Sequence, residues 1–307
     1  MEKITYIVQE DDKNERLDKL IASKFPDFSR NKIKKMLDEK AIIVNKKNEK
    51  PSYKVVWGDY ITILVKDPEV TSINPEAISL DITYEDEDLI VVNKPTGMVV
   101  HPANGHFTGT LVNAALNHCD NLSSINGVCR PGVVHRIDKD TSGLIVMAKN
   151  NETHQFLAQQ FKEKTVKRMY YALCHGTIEH NKGTVDAPIG RDKNERKRMA
   201  IVAGGKNAVT HFEVIERIGP YTFINCQLET GRTHQIRVHL SYIGYPLVGD
   251  EKYGPKKTIS KNGQFLHAAA LGFIHPKTKA LLQFEAPLPA YFSEFLEKCR
   301  KQYLIYR

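Results

Sequence analysis

The stretch Pro131–Lys149, PGVVHRIDKDTSGLIVMAK, places one acidic side chain, Asp138, in a setting suited to chemistry. A β-branched run, Gly132-Val133-Val134, leads into His135-Arg136-Ile137-Asp138. The polar Lys139-Asp140-Thr141-Ser142-Gly143 follows, and Leu144–Ala148 is apolar again. Both flanks are too short for helices and the residues between them supply turn chemistry, so the stretch reads as strand, functional turn, strand. Asp138 then sits where a rigid strand hands over to a loop, a common place for reactive groups. Burial in a cleft would push its carboxyl toward the neutral form, and a neighbouring guanidinium would keep it charged and oriented. A carboxylate held in that way can add covalently to an electrophilic carbon or stabilise positive charge that builds beside it.

A guanidinium of the right kind lies on a second segment. Thr233 can N-cap a helix that runs to Ile243 and stops at Gly244, so that Ile236, Leu240 and Ile243 pack inward while His234, Arg237 and Ser241 share another face. Arg237 on that face is a candidate partner for Asp138, and the segment read by itself is equally a surface helix with ordinary solvated arginines. Tyr170 lies in the strand-like run Met169–Cys174, with Tyr171 on the opposite face, and taken alone it reads as an amphipathic core residue of that strand. Other motifs fail. His135-Arg136-Ile137-Asp138 has the look of a kinase catalytic loop, yet no GxGxxG loop and no DFG accompany it. His234 and His239 are five residues apart, about 140° around a helix, and do not suit one metal ion.

These residues need a scaffold, and 307 residues with 41% apolar content suffice for one large core plus a small module. No run of about eighteen uncharged apolar residues occurs and the first residues are too charged for a signal peptide, so a cytoplasmic protein without a membrane anchor is expected. The five cysteines are widely spaced and form no CxxC pair, which favours reduced, buried thiols. Lysine and arginine exceed aspartate and glutamate by 44 to 36, and the formal charge of +8 favours a polyanionic partner.

Residues 1–75 read as a separate module: a helix around Arg16–Ile21, a second helix opened by Ser29 and Arg30 with Ile33, Met36 and Leu37 on one face, then strands at Ala41–Asn45, Tyr53–Val56 and Tyr60–Leu64. Arg30, Lys34 and Lys35 form its basic side. Residues 66–78, with two prolines and no apolar period, read as the linker. From residue 79 to 307 short strands outnumber helices. Strands are expected at Leu89–Val92, Met98–Val100, Leu144–Ala148, Met169–Cys174, Ala208–Ile215 and Phe223–Leu228, and helices at Thr110–Asn117, Glu152–Phe161, Thr233–Ile243 and Ala290–Lys301. Regular βα alternation is absent, so the class is α+β around a mixed, mainly antiparallel sheet.

His135-Arg136-Ile137-Asp138-Lys139-Asp140-Thr141-Ser142-Gly143 resembles the HR(L/I)DxxTSG signature of the RluA/RluD-type pseudouridine synthases. The resemblance continues through Asn93-Lys94-Pro95-Thr96-Gly97, Lys167-Arg168-Met169-Tyr170, Gly205–His211 and Thr230–Leu240, and covers most of residues 80 to 290. The N-terminal module resembles the small αL RNA-binding domain found in one small-subunit ribosomal protein, some tRNA synthetases and several pseudouridine synthases. Lys40 and Lys46 stand where glycine is common in that domain, so its turns are expected to differ here.

The resemblance implies a curved central sheet with an RNA cleft, and isomerisation of uridine in RNA without cofactor or metal. It implies that Asp138 acts at the sugar carbon, that Arg237 rather than Arg232 contacts it, and that Tyr170 stacks on the target base. Arg136 would fill the space left by a flipped nucleotide, with His135 and Arg232 as further RNA contacts. In the N-terminal module Arg16, Ser29, Arg30, Lys34 and Lys35 are the expected RNA-binding residues. The charged Arg191–Arg198 run is expected to grip phosphate. The RluD branch, and with it large-subunit ribosomal RNA or its precursor particle, is the expected substrate; tRNA is the alternative. A monomer that binds neither DNA nor membrane is expected. A non-catalytic assembly factor would be expected to lose the acidic residue, whereas Asp138, Arg136, Tyr170 and Arg237 are all present.

Overall fold

A computed structural model of the chain describes residues 2–25, 28, 30–65, 73–102, 106–125, 130–192, 195, 198–256 and 262–304. Its contacts divide into two compact units, Met1–Thr71 and Ser72–Arg307. Of the expected linker, residues 66–72 lie outside the described residues.

The first unit runs β1 (Glu2–Ile7), a short 3-10 turn, α1 (Leu17–Lys24), α2 (Arg30–Asp38), β2 (Ile42–Val44) and β3 (Tyr60–Val65). The strands form an antiparallel sheet in the order β1-β3-β2. Leu17, Leu20 and Ile21 of α1 and Ile33, Met36 and Leu37 of α2 close over Ile42, Val44, Ile61 and Ile63. The face expected for α2 is therefore the one that packs. Tyr53–Val56, expected as a strand, makes only the isolated bridge Arg16↔Lys54, and the edge beside β3 is taken by β1 instead. Lys40 and Lys46 correct a second expectation. Both take positive φ, 59° and 65°, so the turns are of the kind glycine favours although lysine stands there. At the β2 end the two-residue turn is closed by Val44 and Lys47, each amide donating to the other's carbonyl. It is held further by Asn45, which accepts from the Tyr60 amide and donates to Asp59.

The second unit contains β4 (Ile82–Glu85), β5 (Leu89–Lys94), α3 (Leu111–His118), β6 (Ser142–Ala148), α4 (Asn151–Glu163), β7 (Lys167–His175), β8 (Lys182–Asp186), β9 (Ile189–Arg191), β10 (Met199–Ile201), β11 (Val209–Ile218), β12 (Tyr221–Leu228), α5 (Gln235–Tyr242), β13 (Leu266–Ile274), β14 (Leu281–Glu285) and α6 (Ala290–Leu304). Nine strands form one sheet, ordered β4-β5-β6-β13-β7-β12-β11-β8 with β14 added on β13, and β9 and β10 pair separately. Every ladder of the large sheet is antiparallel except β13 with β6, which gives the mixed, mainly antiparallel class. Strand alternation sends Ile90, Val92, Ile145, Met147 and Tyr170 to the side closed by α3 and α5. Leu89, Val91, Leu144 and Val146 face α4 instead. Helix α6 covers Leu173 and Phe223. Two expected strands are corrected. Met98–Val100 forms none, and Gly132–Val134 contributes only the bridge Val133↔Met147, so the segment before Asp138 is a loop laid along β6.

Candidate active site

A set of hydrogen bonds fixes the loop around Asp138. The Thr141 amide donates to the Asp138 carbonyl at 3.2 Å and closes a turn. Lys94, at the end of β5 and fully buried, donates from its ammonium to the carbonyls of Pro95, Met98 and Lys139 at 2.7, 2.8 and 3.0 Å. Thr96 reaches the carbonyls of Asp140 and Asn262. Buried Thr141 accepts from Gln264, and buried Ser142 pairs with His267. The Asn-Lys-Pro-Thr and Thr-Ser-Gly motifs are thus two halves of one clamp on the loop.

Helix α5 supplies the partner. An eight-residue helix is marginal alone, and the burial of Ile236, Val238 and Leu240, roughly 1.5–3 kcal/mol each, holds it in place. Gly244 ends it at φ 88°, with its amide on the Ser241 carbonyl and that of Tyr245 on the Leu240 carbonyl. The start differs from expectation: His234, not Thr233, is the capping residue, at φ 57°, and the helix begins at Gln235. Among the described residues no side chain caps the helix, and the Gln235 side chain instead ties its first turn to the preceding loop and to β11, accepting from the Arg232 amide and donating to the Val209 carbonyl.

Arg237 bridges two carboxylates. Nη1 donates to Asp138 Oδ2 at 2.9 Å, while Nε and Nη2 grip Asp250 Oδ2 and Oδ1 at 2.7 and 2.9 Å. Asp250 is itself fixed by the amides of Lys252 and Tyr253, and the Tyr253 ring lies 5.1 Å from the guanidinium carbon. Burial opposes charge on both residues, but their mutual hydrogen bonds outweigh it: the Asp250 carboxyl is held below its usual range and Arg237 above. His234 Nε2 lies 3.9 Å from Asp138 Oδ1, and burial lowers its pKa to about 4 against the pull of that carboxylate. The Tyr253 hydroxyl accepts from the Met199 amide and is free to donate to His234 Nδ1 at 2.7 Å. That pattern puts the imidazole proton on Nε2, facing Asp138.

Asp138, Arg237, Tyr170, Arg136, His135 and Arg232 all line one cavity of ≈ 330 Å³. Tyr170 is buried, and burial raises its phenol pKa. Arg136 is exposed and has no ion-pair partner among the described residues. Arg232, also exposed, donates from Nε to the Asn207 carbonyl. His135 also has a structural role: its Nε2 accepts from the Val146 amide at 3.0 Å and its ring stacks on Phe161 at 4.5 Å, so it ties the loop to β6. Burial lowers its pKa to about 3.

In the first unit Arg16 is committed to Asp18. Lys34 and Lys35 are exposed, with Lys35 3.6 Å from Glu39. Ser29 lies outside the described residues, and of Arg30 only the backbone is described. In the Arg191–Arg198 run residues 193, 194, 196 and 197 lie outside them too, and Arg198 stacks over the Tyr253 ring at 5.1 Å. A grouping with metal-like ligand types, Asp86, Asp88 and His275, is occupied by donors from the protein itself, including Tyr84, Asn150 and Lys277.

The reading of the residues missed Asp250, Tyr253 and Arg168. Only Asp250 had a local signal, since an Asp in the Gly249–Gly254 turn commonly binds amides two and three residues on.

Residues 88–242 match the family model described as RNA pseudouridylate synthase, and residues 15–61 match the S4 domain. The uncharacterized RNA pseudouridine synthase YlyB of Bacillus subtilis is 54% identical over 98% of this chain and 99% of its own length. A ribosomal large subunit pseudouridine synthase D of Neisseria meningitidis is 45% identical over 89% of this chain and 76% of its own. Among solved structures, human RNA pseudouridylate synthase domain containing 4 aligns with a TM-score of 0.55 and 26% identity, over 71% of this chain and 92% of that one.

Proposed function

The chain belongs to the RNA pseudouridylate synthase family, and on that premise we propose that it acts on uridine in large-subunit ribosomal RNA with Asp138 as the group that meets the sugar. One observation carries the assignment of Asp138. Its carboxylate is held by Arg237, which Asp250 locks from behind, and it shares its cavity with Tyr170. The bound uridine has to leave its stack to reach such a cavity, at a cost of a few kcal/mol. Arg136, exposed and without an ion-pair partner among the described residues, then occupies the gap left in the RNA. In the cavity Asp138 adds to the sugar carbon or stabilises its positive charge as the bond to nitrogen breaks. Tyr170 offers its ring to the uracil.

Replacing Asp138 by asparagine is expected to abolish pseudouridine formation while RNA affinity stays within about tenfold, ~1.4 kcal/mol. Turnover by that variant at the normal rate would remove Asp138 from the mechanism.

The large-subunit reading rests on the S4 domain together with the relatives named for that RNA. Lys34 and Lys35 are its exposed cations of choice. Changing both to glutamine should reduce the slope of log affinity against log salt by up to about 1.4. Pseudouridine mapping with and without the protein tests the substrate directly: loss from tRNA alone, with large-subunit RNA unchanged, refutes it.

A further inference from the structure

Arg168 precedes Tyr170 by two residues on β7, so both side chains point to one face, and both line the cavity that holds Asp138. Arg168 is only 9% exposed, yet among the described residues no carboxylate pairs with it and its Nε has no hydrogen-bond partner. Its aromatic contact is the Phe161 ring, 5.6 Å from the guanidinium carbon. A guanidinium this enclosed and without a counter-charge is costly, and an anion arriving in the cavity would offset that cost. Gly231 leaves room for the guanidinium to lie there: a Cβ at that position would be 2.6 Å from Arg168 Nη1.

The other cavity arginines differ. Arg237 is held by Asp138 and Asp250, while Arg136 and Arg232 are exposed and suit the phosphates of the strand. A phosphodiester remains tethered to the strand outside. The base is the part of a swung-out nucleotide that enters deepest, and the planar fork of a guanidinium matches its carbonyl oxygens.

We propose that Arg168 is a catalytic residue that binds the uracil as an anion while it is detached from the sugar. This rests on the reading of the site given above. When the C1′–N1 bond breaks, its electron pair stays on the uracil, spread over N1 and the flanking carbonyl oxygens. Arg168 donates to those oxygens and keeps the free base in the cavity as it turns. The bond from C5 to C1′ then forms, the proton on C5 leaves, and N1 takes up a proton. The product is an isomer and no oxidant or reductant is consumed.

The test compares large-subunit ribosomal RNA transcribed with uridine or with 5-fluorouridine, in single turnover, following loss of the original nucleoside. Fluorine makes the uracil a better leaving anion, so it should lessen dependence on Arg168. Arg168→Gln is expected to slow the uridine reaction by ~10²–10³-fold, as loss of an oxyanion donor does, and the 5-fluorouridine reaction much less, with RNA affinity unchanged. Arg168→Lys, which keeps the charge without the fork, should fall between, and it carries the same comparison if the glutamine variant does not fold. Equal losses on both RNAs, full activity of Arg168→Gln, or a loss confined to affinity with a shallower salt slope would each overturn the proposal. Inactivity of the unaltered protein on the uridine transcript would count instead against the substrate reading.

Discussion

Replacing Asp250 with asparagine tests whether Arg237 acts from a fixed position. Asp250 Oδ1 accepts from the amides of Lys252 and Tyr253 as well as from Arg237 Nη2, so the side-chain oxygen of an asparagine would stay there. Its NH2 group would then face Arg237 Nε, now 2.7 Å from Oδ2, and two donors would oppose each other in a site where the Asp250 side chain is 0% exposed. Breaking one side of a buried charge pair costs about 3–5 kcal/mol, and the lower end fits here because one hydrogen bond survives. Arg237 is then drawn toward Asp138, its remaining carboxylate, and a displacement of about 1 Å at a reacting group lowers a rate by roughly 10²-fold. Urea unfolding with single-turnover rates on the same preparation measures both. A variant within about 1 kcal/mol and threefold of the unaltered protein would show that Asp250 neither orients nor stabilises Arg237.

The histidines set an acid limit on stability. Burial lowers the pKa of His101 and His234 to about 4 and of His135 to about 3, with the charges of nearby arginines adding to the effect at His101. The unfolded chain, near 6.5, therefore takes up protons first as pH falls, and stability declines from about pH 6.5 downward by roughly 1.4 kcal/mol per pH unit for each histidine. Urea unfolding at pH 5 should therefore show a loss of several kcal/mol relative to pH 7, and an unchanged midpoint refutes the reasoning. In the first unit, Lys46→Gly removes a left-handed lysine and should stabilise by about 1 kcal/mol, read as a higher melting temperature; a lower one means the lysine side chain contributes more than its backbone costs.

Helix periodicity made α2, α3, α4 and α6 legible from the residues, because one apolar stripe against a sheet leaves a regular mark. That the segment before Asp138 is a loop was not legible: Gly132-Val133-Val134 has strand composition, yet β5 pairs along β6 and leaves it only one bridge. Asp138 and Arg237, 99 residues apart, were linked by motif resemblance rather than by any period. Arg168 escaped notice because what distinguishes it is a missing partner, and the structural role of His135 was not legible because nothing local says that its ring turns toward Phe161 and Val146.

The three carbonyls around the Lys94 ammonium have a thermodynamic consequence. The loop they secure is already in its working shape before any nucleic acid arrives, so association does not have to freeze it. On the proposed reading, more of the interaction energy between protein and RNA is then left for prying a nucleotide out of its stack. A less rigid loop would show up first as weaker discrimination between stacked and unpaired uridines.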